Sequence, residues 1–495
     1  MVNPSDTDAR QRFAGDLDCN FSVVASAGSG KTTAIIERVL SIARSANATE
    51  ILPRLVVVTY ANRAADEMQQ RARQLLLENN LNAEVQTAFN RAFFGTIHAF
   101  CLKLLTDHGH YLGLPTPLEL LADDDDLWHE FVQGQTRIGH SLGEENRKAL
   151  LRLVQARDLM DLARRSRSET LSASPFSPCP KPNFDEVREW KDSAKSDAVS
   201  KSQAELLDWE KRYDGDWEFL RWPVCFSTPG SKFTEAWQKA FSPLRKWVCN
   251  LAACVAAEVQ RDYREFRLER GLVTYDDQIA LAKELLQHPI AGPRVREENL
   301  RVILDEAQDT APAQFDVLLE ASRPTKAQGP WLITKTDPPR PGHFCMVGDF
   351  QQSIYRKYSE LKYYQEVHKT VIASDGGEEL EFSVTFRLDE KQLAFVNATF
   401  REILNEKNGQ VRFVELQPRP AILPGKVIRV PLGKELLKET DKRDYQKARI
   451  EAESLAGWIK QAGLEKLSAD SWREVAILCP RKAWLQTIAA ALRRV

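Results

Sequence analysis

Short, uninterrupted apolar runs punctuate the first hundred residues. FSVVA from Phe21, RLVVVTY from Arg54 to Tyr60, and the shorter Phe93 to Thr96 are such runs. Continuous rather than alternating apolar residues predict strands covered on both faces. Thr32 to Ala43 and Ala61 to about Leu77 lie between them and read as helices. Strand–helix alternation of this kind predicts a parallel α/β sheet.

The pattern then changes. From about 105 to 270 the chain is helix-prone with few β-branched runs. Ser166 to Phe184 is rich in Ser and Pro and reads as an exposed loop within that region. The α/β pattern returns with RVILDE (Arg301 to Glu306) and HFCMVGD (His343 to Asp349), and KAQGPWLITKTDPPRPG between them reads as a surface excursion. A second α/β region is expected from near Leu380. Its strands would be VIRV (Val427 to Val430) and EVAIL (Glu474 to Leu478), with a helix from about Ala448 to Gln461. The predicted division is 1–105 and 271–377 for a first α/β domain, 106–270 for a helical insertion, and 378–495 for a partial second α/β domain.

A chain of 495 residues exceeds what one core organises. No apolar run approaches the length of a membrane span. The polar, acid-containing start MVNPSDTDARQRF does not resemble a signal peptide. The eight cysteines include no CxxC pair, so reduced thiols in a cytoplasmic protein are expected rather than a zinc site. The formal net charge of -2 leaves no global footprint for nucleic acid, so any such path must be local. Six of the eleven tryptophans fall between Trp190 and Trp247, and core packing is weighed there against a base-stacking platform. Asp123 to Asp126 precede a helix start, where acids complement the helix dipole.

Two segments carry chemistry. ASAGSGKTT, Ala25 to Thr33, follows the first strand. Glycines at 28 and 30 let backbone N–H groups approach an anion, and the following helix points its positive end there. Lys31 adds a mobile positive charge, and Thr32 offers a hydroxyl to Mg²⁺. DEAQDT, Asp305 to Thr310, follows the apolar run Val302-Ile303-Leu304. Asp305 at the exposed end of a buried strand suits Mg²⁺, and Glu306 suits activation of a water. An acidic helix cap is the alternative for this pair. The pairing of the two segments predicts a P-loop NTPase that binds ATP with Mg²⁺.

Further segments complete a resemblance. TYANRAADEM (Thr59 to Met68), GTIHAF (Gly95 to Phe100), GLVTYDDQI (Gly271 to Ile279), VGDFQQSIY (Val347 to Tyr355) and VTFRLDE (Val384 to Glu390) occur in order around the first two. The chain resembles superfamily 1 DNA helicases of the UvrD/Rep type, and within them the AddA/RecB-like members. The resemblance implies a RecA-like fold and ATP-dependent 3′-to-5′ helicase or translocase activity in DNA repair or recombination. It implies nucleotide contacts from Gln11, Ala25, Ser26, Ala27, Gly28, Ser29, Gly30, Lys31, Thr32 and Thr33. Phe386 would stack on adenine, Gln352 would sense the γ-phosphate, and Arg387 would act as an arginine finger. A surface salt bridge is the alternative for Arg387. Tyr60, Asn62, Arg63, Thr96, His98 and Tyr355 would line single-stranded DNA; without the motif context Tyr60 and His98 read as half-buried packing residues. Lys31, Thr32, Asp305 and Arg387 are expected to converge on one magnesium-bound triphosphate.

The chain also departs from the family pattern. Lys357 stands where an aromatic wedge is usual, with Tyr358 next to it, and Thr33 stands where some relatives carry arginine. The late motifs of the second RecA-like domain are not found before Val495. A competing expectation is therefore a non-motor ATP- and DNA-binding subunit completed by a partner chain of a helicase–nuclease complex.

Overall fold

The computed structural model describes residues 5–134, 138–166, 178–191, 197–215, 219–352, 358–404, 411, 413–430 and 444–494. They form two compact units: Asp8–Ala25 with Lys31–Phe382, and Met1–Thr7, Ser26–Gly30 and Ser383–Val495, each within its described residues.

The larger unit is built on a six-stranded sheet. Its strands are β1 (Asn20–Ala25), β2 (Leu55–Thr59), β3 (Phe93–Thr96), β4 (Arg301–Leu304), β5 (Phe344–Gly348) and β6 (Gly377–Phe382). They are ordered β3-β2-β4-β5-β1-β6 and every pairing is parallel. Alternate residues of one strand enter opposite cores. Val56, Val58, Val302 and Leu304 pack on one face. Val57, Ile303, Cys345 and Val347 pack on the other. That two-sided burial explains the uninterrupted apolar runs.

Three expectations change here. The second region does not begin at 378: Gly377–Phe382 pairs with β1 along its whole length and forms the sheet edge, and the smaller unit resumes at Ser383. Neither Val427–Val430 nor Glu474–Leu478 is a strand: Glu474 ends a short 3₁₀ helix, the other residues are irregular, and Leu478 is 95% exposed. The excursion after Lys326 is only partly superficial. Trp331 and Ala327 are buried, and Trp331–Thr334 forms a short helix. Arg323, fully buried, donates to the carbonyls of Gly329, Thr336 and Asp337 and pairs with Glu320 at 2.5 Å. Internal hydrogen bonding of the excursion's backbone is what a composition-based reading misses.

The helical segment between β3 and β4 has its own core, gathered along the helix Lys232–Leu268. Trp209, Trp237 and Trp247 are buried in it, and Trp190 and Trp222 pack against it. Packing, not an exposed stacking platform, is their role there; Trp217 lies outside the described residues, as does most of Ser166–Phe184. The acidic run starts the helix Asp125–Gly134, and Arg164 pairs with Asp124 and Asp125.

In the smaller unit, β7 (Val384–Thr385) pairs in parallel with β8 (Gln417–Pro418). The helix Glu390–Ile403 follows, and the Asn397 side chain ties it to Leu416: Nδ2 donates to the Leu416 carbonyl and Oδ1 accepts from the Leu416 N–H. The helical segment Asp444–Leu467, broken at Gly463, and the helix Lys482–Leu492 pack through Ala452, Ala456 and Ala491. Among the described residues no helix is long and apolar enough to cross a membrane.

Candidate functional site

Lys31 begins the helix Lys31–Arg44, directly after the glycine loop. Gly28 and Gly30 have φ of 71° and 76°, a region that residues with a Cβ enter at a cost. The Ser29 N–H donates to Ser26 O at 3.1 Å and closes a tight turn. Ala25, Ser26 and Ser29 are buried, Ala27 and Thr33 are exposed, and Gly28, Gly30 and Thr32 are half-buried.

A polar chain crosses the C-terminal ends of the central strands. Lys31 Nζ lies 2.9 Å from Glu306 Oε2. Gln308 Nε2 donates to the same oxygen at 2.6 Å, and Gln308 Oε1 accepts from the Asp349 N–H at 2.9 Å. Asp349 in turn accepts from the Gln351 N–H and from Gln352 Nε2 at 2.8 Å. Gly348 makes room for this: a Cβ there would lie 2.9 Å from Gln308 Oε1 and 2.5 Å from Tyr364 Oη. Glu306 itself has φ of 52°, a left-handed backbone unusual for a residue with a side chain.

Asp305 is 5% exposed at the end of β4, and its N–H donates to Val58 O. Burial pushes its carboxyl up to about 6; the neighbouring Glu306 charge adds to this and Lys31 opposes it. A buried carboxylate of that kind gains from a divalent cation, which would favour its ionised form. Asp305 with the Thr32 hydroxyl is thus a donor set of hard oxygens suited to Mg²⁺. The loop's glycines suit an anion, and Lys31, taken by itself, is a cation suited to phosphate. Burial also pushes the Asp349 carboxyl up, opposed by its bond from Gln352.

Beside the acidic pair is a cavity of about 240 Å³ lined by Tyr60, Thr96, His98, Asp305, Glu306, Thr310 and others. Tyr60 is 74% exposed, which removes the alternative of a packing role. His98 is half-buried, edge-on to Tyr275 with ring centroids 5.3 Å apart. Burial pushes its imidazole below the usual range, opposed by Asp276. Thr96 caps the helix Ile97–His108 by accepting from the Ala99 N–H. Asn62 is exposed; Arg63 is exposed too and pairs with Glu67 at 3.2 Å. Tyr355, Lys357 and the side chain of Tyr358 lie outside the described residues.

Gln11 is exposed on the helix Thr7–Gly15. In the smaller unit the Phe386 N–H donates to Gly28 O at 2.9 Å, so the segment bearing Phe386 and Arg387 is bonded to the loop. Both side chains are exposed. Sequence reasoning missed Gln308, Asp349 and Tyr275. Gln308 and Asp349 sit within motifs already noticed, but only the fold shows that they touch.

The UvrD/REP helicase N-terminal domain family matches residues 6–371. Curated relatives named as subunits of an ATP-dependent helicase/nuclease are similar to this chain. The one from Clostridium novyi (strain NT) is 22% identical over 80% of this chain and 39% of its own length. The one from Bacillus cytotoxicus is 24% identical over 88% of this chain and 43% of its own. The one from Clostridium beijerinckii is 36% identical over a shorter stretch, 23% of this chain and 10% of its own. The chain spans about two-fifths of the length of the first two.

Proposed function

Since the chain belongs to the UvrD/REP helicase family, we propose that it is an ATP-dependent DNA helicase or translocase that steps 3′ to 5′. Its ATP hydrolysis is stimulated by single-stranded DNA, in repair or recombination. The observation that carries this is the polar chain from Lys31 through Glu306, Gln308 and Asp349 to Gln352. It links a phosphate-binding lysine to the residues expected to couple nucleotide to DNA.

The roles follow from the chemistry of each group. ATP bound with Mg²⁺ supplies the reactive phosphoanhydride. Lys31 and the N–H groups of Ala25–Thr33 hold its phosphates. Thr32 and Asp305 hold the metal. Glu306 orients a water and takes its proton, for which it must leave Lys31. Arg387 offers a planar cation to the γ-phosphoryl, and such fingers are worth roughly 10³–10⁵ in rate. Gln352 reports the γ-phosphate, while Gln11 and Phe386 hold the adenine. On the nucleic-acid side Tyr60, Asn62, Arg63, Thr96, His98 and Tyr355 hold a single strand by stacking and polar contact. We place the protein in the cytoplasm, where its DNA substrate would be.

A second reading is a non-motor ATP- and DNA-binding component of a helicase–nuclease assembly. The name of the relatives, which are subunits, favours it. One experiment separates the two. ATP turnover is measured with and without single-stranded oligonucleotide, and strand separation on duplexes tailed at the 3′ or 5′ end. DNA-stimulated turnover with a 3′-tail preference supports the motor. ATP and DNA binding without turnover supports the non-motor reading.

A further inference from the structure

We propose that Thr385 is a further phosphate ligand, its Oγ1 donating to a phosphoryl oxygen of a triphosphate held by the loop Ser26–Gly30. This rests on the ATP-binding reading above. The bond from the Phe386 N–H to Gly28 O fixes the segment against the loop within the smaller unit. Thr385 and Arg387 both lie against Gly28. A Cβ added to Gly28 would lie 2.8 Å from Thr385 Oγ1 and 3.0 Å from Arg387 Cβ. With no side chain at Gly28, the hydroxyl approaches the loop backbone more closely than any other residue there would allow.

Thr385 is 0% exposed, and Oγ1 has no hydrogen-bond partner among the described residues. Ser29 Oγ, on the loop itself, is in the same condition. A buried hydroxyl without a partner costs stability, and valine would fill the same volume without that cost. The hydroxyl is thus explained by a bond made when the loop carries its ligand. The class of that ligand follows from the surroundings. Gly28 and Gly30, with φ of 71° and 76°, shape the loop for an anion with several acceptor oxygens. Arg387, also against Gly28, brings a planar cation to it. A phosphoryl group accepts from both at once.

The test is binding of a fluorescent N-methylanthraniloyl ATP, with Mg²⁺, to the whole chain and its variants. T385V should weaken binding roughly 10–100-fold, the scale for a lost bond to a charged acceptor. T385S, which restores the hydroxyl, should bind like the parent. The thermal midpoint of T385V should equal or exceed the parent's, because an unpartnered polar atom is gone. Should T385V misfold, T385A is read in the same way, and its circular dichroism shows that it is folded. Folded T385V or T385A binding within twofold of the parent overturns the proposal alone. Absence of binding by the parent overturns the ATP reading and this proposal with it.

Discussion

Lys31 and Glu306 stand 275 positions apart in the chain, yet their charged atoms lie 2.9 Å apart. The pair is partly shielded, with side-chain exposures of 11% and 34%. A lysine that neutralises the glutamate is not free for phosphate, and a glutamate held by lysine is a poor base. Nucleotide binding should therefore exchange one partner for another. Lys31→Ala should abolish turnover and weaken ATP binding at least tenfold. Glu306→Gln should bind ATP as well as the parent, or better, and lose turnover at least 100-fold. Equilibrium nucleotide binding beside a phosphate-release assay checks both.

Gln308 bonds to the Glu306 carboxylate through its Nε2 and to the Asp349 backbone through its Oε1, and so bridges the ends of β4 and β5. Gln308→Ala should leave the strands in place and disconnect them at this point. We expect DNA-stimulated turnover to fall about tenfold while ATP affinity changes little, as for loss of a positioning contact. Steady-state kinetics with and without oligonucleotide separates the two effects. Loss of affinity with stimulation intact would refute the coupling role.

Asp305 gives a pH dependence. Its folded carboxyl sits at about 6 against an ordinary 3.8, so folding favours the protonated form. The cost of ionising it is present above about pH 6 and disappears as pH falls through 6 towards 4. Asp305→Asn should therefore stabilise the protein at pH 8, on the order of 1–3 kcal/mol, and the gain should vanish near pH 4. The same substitution should abolish Mg²⁺-dependent turnover. Thermal unfolding of parent and variant across that range checks the sign.

Arg323 and Glu320 tie the 326–342 excursion to the sheet unit. Glu320 also accepts from the Trp331 N–H at 2.8 Å and pairs with Arg296 at 3.2 Å. Arg323→Ala leaves Glu320 short of one charge partner and strips donors from three carbonyls. Breaking a buried pair this way costs about 3–5 kcal/mol. Urea denaturation should show the loss, with proteolysis appearing first between Pro324 and Gly342.

Tyr60 is exposed beside the cavity that Thr96 and Asp305 line. Tyr60→Ala should weaken binding of a single-stranded oligonucleotide by about 1–3 kcal/mol without sequence preference. Fluorescence anisotropy at fixed salt measures it, and ATP affinity without DNA should be unchanged.

Residue order and type alone were enough to read the parallel sheet and to mark candidate chemistry at its ends. Strands β1 to β5 were legible because residues buried on both faces leave continuous apolar runs, which short-range reading detects. The loop with Lys31, and Asp305 with Glu306, stood out as candidates because few residue types suit phosphate or Mg²⁺. The remainder depends on how distant segments meet in the fold. Gly377–Phe382 became the sheet edge because β1 offered it a partner along six residues. Val427–Val430 and Glu474–Leu478 have strand-forming residues but no described strand beside them, and β preference is realised only by pairing. The contacts of Lys31 with Glu306, of Gln308 with Asp349 and of Thr385 with Gly28 join residues far apart in the chain. Such contacts depend on where the backbone carries each side chain, and no local pattern of residues encodes that.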